Sequence, residues 1–233
     1  MDNSTLFIIP ARGGSKGIPR KNISLLAGRP LIAYSIDVAL QFAAPEMVCL
    51  STDDEEIRLT AESLGLPVPY RRPAEFAADN SGSREVILDA MDYYDRRGIV
   101  YDKVVLLQPT SPLRSAADVE QALALYSADI DMVVSVVEAK ANPYYDCFET
   151  DIDGYLRISK GDGLLTRRQD APKAWQYNGA VYVINPESLR KMPMGSFGKR
   201  VPSPMPASRS IDIDSPLDLL IAETILKGYS ANS

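Results

Sequence analysis

Short apolar runs rich in Val, Ile and Leu alternate along most of this chain with segments whose apolar residues recur at helical spacing. This alternation is typical of βαβ units, in which a helix crosses over between two parallel strands. The predicted strands lie at residues 6–9, 47–51, 103–108, 131–138 and 178–184. The predicted helices lie at residues 29–43, 52–65, 84–97, 115–127 and 216–227. We therefore predict an α/β fold with a Rossmann-like, mostly parallel sheet and helices on both faces.

Two of the predicted helices begin with a capping signal. Thr52 is followed by Glu55, and Ser115 by Asp118, at the spacing of a capping box. Polar clusters follow several of the predicted strands, and ligands of such folds bind beyond the carboxyl ends of the strands. The binding site is therefore expected at that edge of the sheet.

Two segments interrupt the alternation. Residues 139–175 are polar and contain DIDGYLRISKGDG, which predicts a hairpin arm or a lid. Residues 191–208 hold four prolines and predict an ordered loop. We predict a single domain over residues 1–233 with a protruding arm at about 139–175.

Composition excludes several classes of function. The chain has 25 Lys and Arg against 31 Asp and Glu, a net charge of -6, which argues against nucleic-acid or anionic-membrane binding. No apolar run reaches the roughly 18 residues of a membrane helix, and Cys49 and Cys147 lack metal-ligand spacing, so a cytoplasmic protein is expected. The absence of histidine leaves carboxylates, lysine, arginine, hydroxyls or an oxygen-bound metal for any chemistry.

The loop after the first strand, ARGGSKGIPRKN at residues 11–22, combines glycines with basic residues. No acidic residue lies between Asn3 and Ile36, whereas this region contains Arg12, Lys16, Arg20, Lys21 and Arg29. A glycine-rich turn lets backbone N–H groups approach phosphate, although neither common phosphate-binding fingerprint is present. The loop thus predicts an anionic ligand, with a solvated basic turn as the alternative.

Six motifs occur in an order that resembles the acylneuraminate cytidylyltransferases, or CMP-sialic acid synthetases. They are IPARGGSKGIPRKN at 9–22, STD at 51–53, RPAEFAADNSGS at 72–83, LLQPTSPLR at 106–114, YNGAVYVI at 177–184 and SIDIDSPLDL at 210–219. The resemblance covers nearly the whole chain. It implies the nucleotide-diphospho-sugar transferase type of fold, transfer of CMP from CTP to a nonulosonic acid, and a homodimer paired through the arm.

The resemblance also implies roles for individual residues. Catalytic residues that hold the triphosphate would be Arg12, Lys16 and Lys21. The cytosine would be read by Asn22, Arg72 and Ser83, and the sugar would be bound by Gln108, Arg168, Asn178 and Tyr182. Arg72 could instead be a surface arginine, and Tyr182 could be a core residue. The arginine that binds the sugar could be Arg167 rather than the adjacent Arg168. Gln176 stands where many relatives have arginine, which leaves the nonulosonic acid open among neuraminate, deaminated, legionaminate and pseudaminate types.

Asp212 and Asp214 alternate along an extended segment, so that both side chains point to one side. This pattern predicts a site for Mg²⁺ or Mn²⁺. The two aspartates could instead favour the dipole of the following helix, but Ser215 and Asp218 already supply its start.

Two other functions stay open from the sequence. A CMP-Kdo synthetase would share the fold and the reaction, but its loop usually reads R-x-x-S-x-R-L-P-x-K. A non-catalytic domain that binds nucleotide sugars would not need Lys21 together with Asp212 and Asp214. The base that removes the proton of the sugar is not identified: an aspartate, metal-bound hydroxide and water all fit.

Overall fold

The computed structural model describes residues 4–14, 17–77 and 82–230. The strands in these ranges are β1 (Thr5–Pro10), β2 (Leu25–Leu26), β3 (Arg29–Pro30), β4 (Val48–Ser51), β5 (Lys103–Leu106), β6 (Met132–Glu138), β7 (Phe148–Thr150), β8 (Leu156–Ile158), β9 (Trp175–Ile184) and β10 (Arg200–Pro204). The α-helices are α1 (Leu31–Phe42), α2 (Glu55–Ser63), α3 (Ser83–Arg96), α4 (Ala116–Ala124), α5 (Pro186–Lys191) and α6 (Pro216–Ser230).

The main sheet confirms the predicted α/β architecture. Its strand order is β10-β6-β9-β5-β1-β4. Strands β4, β1 and β5 are mutually parallel, as are β6 and β10, while β9 runs antiparallel to both β5 and β6. The result is a mixed sheet with one reversed strand near its middle.

Strand β1 shows why this sheet is buried on both faces. Leu6, Phe7, Ile8 and Ile9 are all fully buried, although consecutive side chains of a strand point to opposite faces. Helices α1 and α3 contact β1, and α4 contacts β6 and β9. Burial of each such side chain stabilises the fold by about 1.5–3 kcal/mol, so the sheet is a rigid base for the loops at its edge.

The predicted capping box at Thr52 is wrong. Asp54 is the N-cap of α2, and its Oδ1 accepts hydrogen bonds from the backbone N–H groups of Glu56 and Ile57, both at 3.0 Å. The Thr52 hydroxyl instead accepts the N–H of Asp54 at 3.1 Å. A carboxylate at the cap satisfies two free amides and also interacts favourably with the helix dipole.

The proline-rich segment at 191–208 is not simply a loop, since it contains β10. This strand pairs with β6, with Arg200 opposite Met132 and Pro204 opposite Val136. It lies at the sheet edge, where residues without an N–H group are tolerated. Helix α5 also has no predicted counterpart, because its six residues are too few for a periodic pattern.

The segment between β6 and β9 contains the expected hairpin. Strands β7 and β8 pair antiparallel, and no third strand in the described chain joins them. Phe148, Tyr155 and Leu156 are more than half exposed there, at 53, 66 and 67%. Within the described ranges, no helix combines the length and the hydropathy that crossing a bilayer requires.

Asp118 is expected to be the carboxylate on which the start of α4 depends. It accepts from the Ser115 N–H at 2.8 Å, which confirms the predicted capping box, and Arg209 donates to both its oxygens at 2.8 and 2.9 Å. Burial raises the pKa of Asp118, but these hydrogen bonds outweigh it and lower that pKa overall. Asp118→Asn should therefore reduce the free energy of unfolding by about 2 kcal/mol at neutral pH.

Chemical denaturation as a function of pH tests this expectation. A carboxylate whose pKa is lowered by folding stabilises the protein fully above its unfolded pKa of about 3.9. This stabilisation is lost as the pH falls through the pKa of the folded state. The difference between wild type and Asp118→Asn should therefore shrink only below about pH 4. Glu120→Gln, an exposed site on the same helix, is the control. Equal stability of all three proteins at pH 7 would contradict the assignment.

Candidate active site

A cavity of about 350 Å³ opens beyond the carboxyl ends of the adjacent parallel strands β1 and β5. Ligands of open α/β sheets bind in this position. The predicted residues in its wall are Arg12, Lys21, Asn22, Arg72, Ser83, Gln108, Asp212 and Asp214. The other wall residues are Pro10, Gly14, Phe76, Val86, Ile87, Leu106, Pro109 and Thr110. Side chains far apart in the sequence thus meet at one cavity, and Lys16 lies outside the described residues.

Lys21 joins the glycine loop to the aspartate segment. Its Nζ donates to Asp214 Oδ1 at 2.9 Å and to the carbonyl of Ile213 at 2.7 Å. The Lys21 side chain is only 12% exposed, whereas that of Asp214 is 76% exposed. The ammonium group is therefore held in place while its carboxylate partner faces solvent and the cavity.

The loop glycines serve two different purposes. A Cβ at Gly17 would overlap the carbonyl oxygen of Asp214, and one at Gly13 would lie 2.7 Å from Asp54 Oδ2. Gly14 lines the cavity, and no atom of the described chain lies within 4 Å of the place of its Cβ. Gly17 and Gly13 thus allow close packing, and Gly14 leaves open space where the backbone can approach a phosphate.

Gly17→Ala is expected to push the loop away from Asp214 and to weaken nucleotide binding by about tenfold, or about 1.4 kcal/mol. The added methyl group cannot share the space of the Asp214 carbonyl oxygen, so the Lys21 contact must lengthen. Isothermal titration with CTP measures the change. Gly198→Ala, where a Cβ meets no described atom within 4 Å, is the control. Unchanged CTP affinity in Gly17→Ala would show that this approach is not needed for binding.

The basic region is less unbalanced in space than in sequence. Arg20 pairs with Asp54 at 2.9 Å and with Glu56 at 2.6 Å, and Arg29 pairs with Asp37 at 2.7 Å. These two arginines are absent from the cavity wall described above. Arg12 and Lys21 are therefore the described cations of this region that lie in the cavity wall.

Arg72 is not a surface arginine. It is 5% exposed, its Nε donates to Ser51 Oγ at 3.0 Å, and its Nη2 donates to the Ser51 carbonyl at 2.7 Å. Burial lowers the pKa of Arg72 below its ordinary value. The end of β4 thus fixes a buried guanidinium at the cavity wall.

Asn22 and Ser83 line the same cavity as Arg72. The Asn22 side-chain amide donates to the Arg12 carbonyl at 2.9 Å, so that it also braces the glycine loop. Ser83 is the first residue of α3. The three residues predicted to read cytosine therefore line one cavity, and their contacts with a base stay a prediction.

Asp212 lies beside Thr110 in the cavity wall. The Thr110 hydroxyl donates to it, and burial raises its pKa, an effect that the charge of Asp214 reinforces. Two carboxylates in one cavity wall suit a divalent cation, which prefers oxygen ligands. Among the described residues no group of three or more Cys, Asp or Glu could hold a metal, so substrate phosphate and water would complete its coordination.

The start of α6 does not need these two carboxylates. Asp218 Oδ2 accepts from the Ser215 N–H at 2.8 Å and from the Ser215 hydroxyl at 2.7 Å. It also accepts the Asp214 N–H at 3.2 Å. The prediction that Ser215 and Asp218 cap the start of this helix is therefore confirmed. The side chains of Asp212 and Asp214 lie in the cavity wall instead.

Gln108 reaches the cavity across a glycine of β9. Gly179 has a φ of +75°, and a Cβ there would lie 2.7 Å from Gln108 Oε1 and 3.0 Å from Ser111 Oγ. The Ser111 hydroxyl donates to the Asn178 carbonyl at 3.0 Å. The lack of a side chain at Gly179 thus leaves the space that the Gln108 amide occupies.

Three residues predicted to bind the sugar do not line the cavity: Arg168, Asn178 and Tyr182. Arg168 lies in the arm, where it contacts Asp146 and the Lys140 carbonyl. Asn178 is buried, accepts from Ser135 at 2.6 Å and donates to Ser210 at 2.9 Å.

Tyr182 packs against the core from β9, and its ring lies edge-on to Tyr177. Burial raises the pKa of Tyr182 to about 12, and the charge of Asp212 adds to this effect. Tyr182 is therefore a neutral phenol near Asp212 rather than part of the cavity wall.

The sequence reasoning missed Thr110 and Arg114. Thr110 lines the cavity and donates to Asp212, and Arg114 is buried behind Gln108. Both residues lie within LLQPTSPLR. Their position could have identified them, because both are polar residues just after a buried strand, where ligands of such sheets bind.

A mixed α/β sheet with a basic glycine loop beside two aspartates is typical of enzymes that bind nucleotides. The protein belongs to the cytidylyltransferase family, since the family model described as cytidylyltransferase matches residues 6–222.

Similar proteins agree with this family. The chain is 32% identical over 225 residues to the CMP-N,N'-diacetyllegionaminic acid synthase of Legionella pneumophila, covering 95% of this chain and 96% of that protein. It is 34% identical over 220 residues to the N-acylneuraminate cytidylyltransferase of Streptococcus agalactiae, covering 92% of this chain and 51% of that protein. The fold is similar to that of a CMP:2-keto-3-deoxy-manno-octonic acid synthetase complexed with CTP, with a TM-score of 0.71, 17% identity, and coverage of 97% of this chain and 99% of that one.

Proposed function

We propose that this protein joins CTP to a nonulosonic acid and releases pyrophosphate. The observation that carries the proposal is the meeting of Lys21 with the segment of Asp212 and Asp214 at one cavity. The relatives named for legionaminic and neuraminic acids support a sialic-type sugar.

The reaction requires positioning and charge neutralisation rather than a protein nucleophile. The anomeric hydroxyl oxygen of the sugar forms a bond to the α-phosphorus of CTP, and the bond from that phosphorus to the bridging oxygen of pyrophosphate breaks. The hydroxyl proton passes to a base that the described residues do not identify. Arg12 and Lys21 would neutralise charge on the α-phosphate and the leaving pyrophosphate, together with Lys16 by resemblance.

The aspartate segment beside Lys21 would bind a divalent cation, which we propose is Mg²⁺ or Mn²⁺. Asp212 and Asp214 fit this ion because they are oxygen ligands that face the cavity. When bound, the ion would neutralise phosphate charge and orient the triphosphate. Lys21 then has a second function, since its bond to Asp214 holds that carboxylate near the phosphate site before the substrate enters.

The cytosine would lie between Arg72, Asn22 and Ser83. Arg72 is already fixed by Ser51, so that a donor is presented to the base without reorganisation. Hydrogen-bond donors aimed at O2 and N3 distinguish cytosine from other bases. We therefore propose CTP as the nucleotide substrate.

We further propose that the protein acts as a homodimer. Arg168 lies in the arm and outside the cavity wall of its own subunit, and the hairpin exposes Phe148, Tyr155 and Leu156. An arm that pairs with a second subunit would bury these apolar side chains and could bring Arg168 to the partner's sugar site. A guanidinium there suits a carboxylate.

Two alternatives are less well supported. Similarity to the synthetase for 2-keto-3-deoxy-manno-octonic acid shows a shared fold alone at 17% identity, and the loop reads RGGSKGIPRKN instead of the pattern usual for that type. A non-catalytic domain does not explain why a lysine of the cavity wall is held against Asp214, with Asp212 in the same wall.

Pyrophosphate release tests the proposal. The protein is incubated with CTP, Mg²⁺ and one of N-acetylneuraminate, its deaminated form, a legionaminate, a pseudaminate or Kdo. We expect release with at least one nonulosonic acid and little with Kdo. Release with Kdo alone would favour the first alternative, and no release with any sugar would overturn the proposed function.

A further inference from the structure

Arg114 is a buried arginine that the proposed chemistry does not use. It is 4% exposed, and it lies at the end of the loop that follows β5 and carries Gln108. No carboxylate in the described chain forms a salt bridge with it, although Asp118 and Asp212 lie close enough to influence its charge. Such an arginine needs a reason, because removing a guanidinium from water is costly unless its donors are satisfied.

The guanidinium is satisfied by three separate parts of the fold. Its Nε donates to the Ala180 carbonyl in β9 at 2.8 Å, and its Nη1 donates to Ser35 Oγ in α1 at 2.7 Å. Its Nη2 donates to the carbonyl of Gln108. One side chain thus ties the sugar-facing loop to β9 and to α1.

The hydrogen bonds to the carbonyls of Gln108 and Ala180 lie on either side of the contact between the Gln108 amide and Gly179. Gln108 Oε1 lies against Gly179, whose φ is +75°, and Ala180 is the next residue. Arg114 therefore holds the backbone on both sides of that contact. Lys21 and Arg72, at the nucleotide end, are held by Asp214 and Ser51 and not by Arg114.

We propose that Arg114 is a positioning residue for the sugar acid: its three-way hydrogen bonding fixes Gln108 against Gly179 in the cavity wall. This inference rests on the proposed function for the identity of the ligand. An arginine suits the position because its planar fork has donors in several directions, whereas lysine is a point donor.

Arg114→Lys keeps the positive charge but removes the planar guanidinium and its several N–H donors. We expect the KM for the sugar acid to rise about tenfold while the KM for CTP changes less than about twofold. A matched control is Arg84→Lys, because Arg84 donates to the carbonyls of Leu189, Met192 and Arg190 at 2.9, 3.2 and 2.9 Å. That variant loses the same kind of fork outside the cavity wall, and both KM values should be unchanged. Equal rises in both KM values, or no rise, in Arg114→Lys would overturn the proposal.

Ser35→Ala provides a milder second variant if Arg114→Lys does not fold. It removes one of the three acceptors and leaves both carbonyl contacts. We expect a rise of about two- to threefold in the KM for the sugar acid alone. An unchanged KM for the sugar acid in Ser35→Ala would contradict the proposal even without the lysine variant.

Hydrogen exchange separates this inference from the proposed function, since it needs no substrate. In Arg114→Lys, or in Ser35→Ala if the former does not fold, amides of residues 107–113 and 178–182 should exchange faster than in wild type. Residues 17–22 should be unaffected. Faster exchange in a protein that turns over no sugar acid would retain the positioning role and reject the substrate, whereas unchanged exchange would reject the positioning role itself.

Discussion

Lys21→Ala is expected to lower kcat by about 10²- to 10³-fold, the usual effect of removing one preorganised charge from a transition state. Lys21 is held at 2.9 Å from Asp214 and is 12% exposed, so its ammonium group is in place before the substrate binds. The charge that develops on the phosphates would then lose a fixed cation of the cavity wall. Steady-state release of pyrophosphate measures the effect.

Two further variants show whether charge and position both matter at Lys21. Lys21→Arg keeps the charge but changes its shape, and we expect an intermediate loss. Lys191→Ala removes an exposed lysine that faces Glu187 at 3.7 Å, and it should leave kcat unchanged. Full turnover in Lys21→Ala would remove this residue from the catalytic site.

Asp212→Asn and Asp214→Asn are each expected to reduce turnover by about 10²-fold or more and to raise the Mg²⁺ concentration needed for half activity. An amide is a neutral and weaker ligand, and each variant removes one of the two carboxylates in the cavity wall. Mn²⁺ binding in the presence of CTP, followed by electron paramagnetic resonance, gives a readout that does not depend on activity.

Asp37→Asn is the control for the aspartate variants. Asp37 pairs with Arg29 at 2.7 Å, and it lies outside the cavity wall. We expect wild-type metal dependence in this variant. Turnover without added divalent metal in the wild type, or wild-type Mn²⁺ binding in Asp212→Asn and Asp214→Asn, would contradict the metal site.

The sequence predicted the sheet well because buried strands and amphipathic helices have clear periods. Strand β1 reads as four apolar residues and is fully buried. The reversed direction of β9 could not be predicted, since it follows from the return of the arm to the sheet rather than from local pattern. Strand β10 was hidden by Pro202 and Pro204, which mark a loop in most contexts but are tolerated at an edge.

The sequence predicted residues of the cavity wall where polar motif residues follow a strand. It predicted less well the side chains whose partners are far away in the sequence. Counting charges along the loop could not show that Arg20 meets Asp54, 34 residues later. Asn178 was expected at the sugar, and that contact stays a prediction; its buried hydrogen bonds with Ser135, Ser210 and Met205 could not be predicted from the sequence. Arg114 was overlooked because its acceptors are mainly backbone carbonyls, which have no signature in sequence.

A crystal structure with CTP and Mn²⁺ tests the central claim most directly, namely that the triphosphate and its metal bind at the cluster formed by Lys21 and the aspartate pair. Anomalous scattering locates the metal independently of its ligands. The proposed site predicts a manganese peak beside Asp212 and Asp214, with the α-phosphate within hydrogen-bonding distance of Lys21 Nζ and the cytosine beside Arg72. A triphosphate bound elsewhere, or a metal peak away from both aspartates, would contradict it.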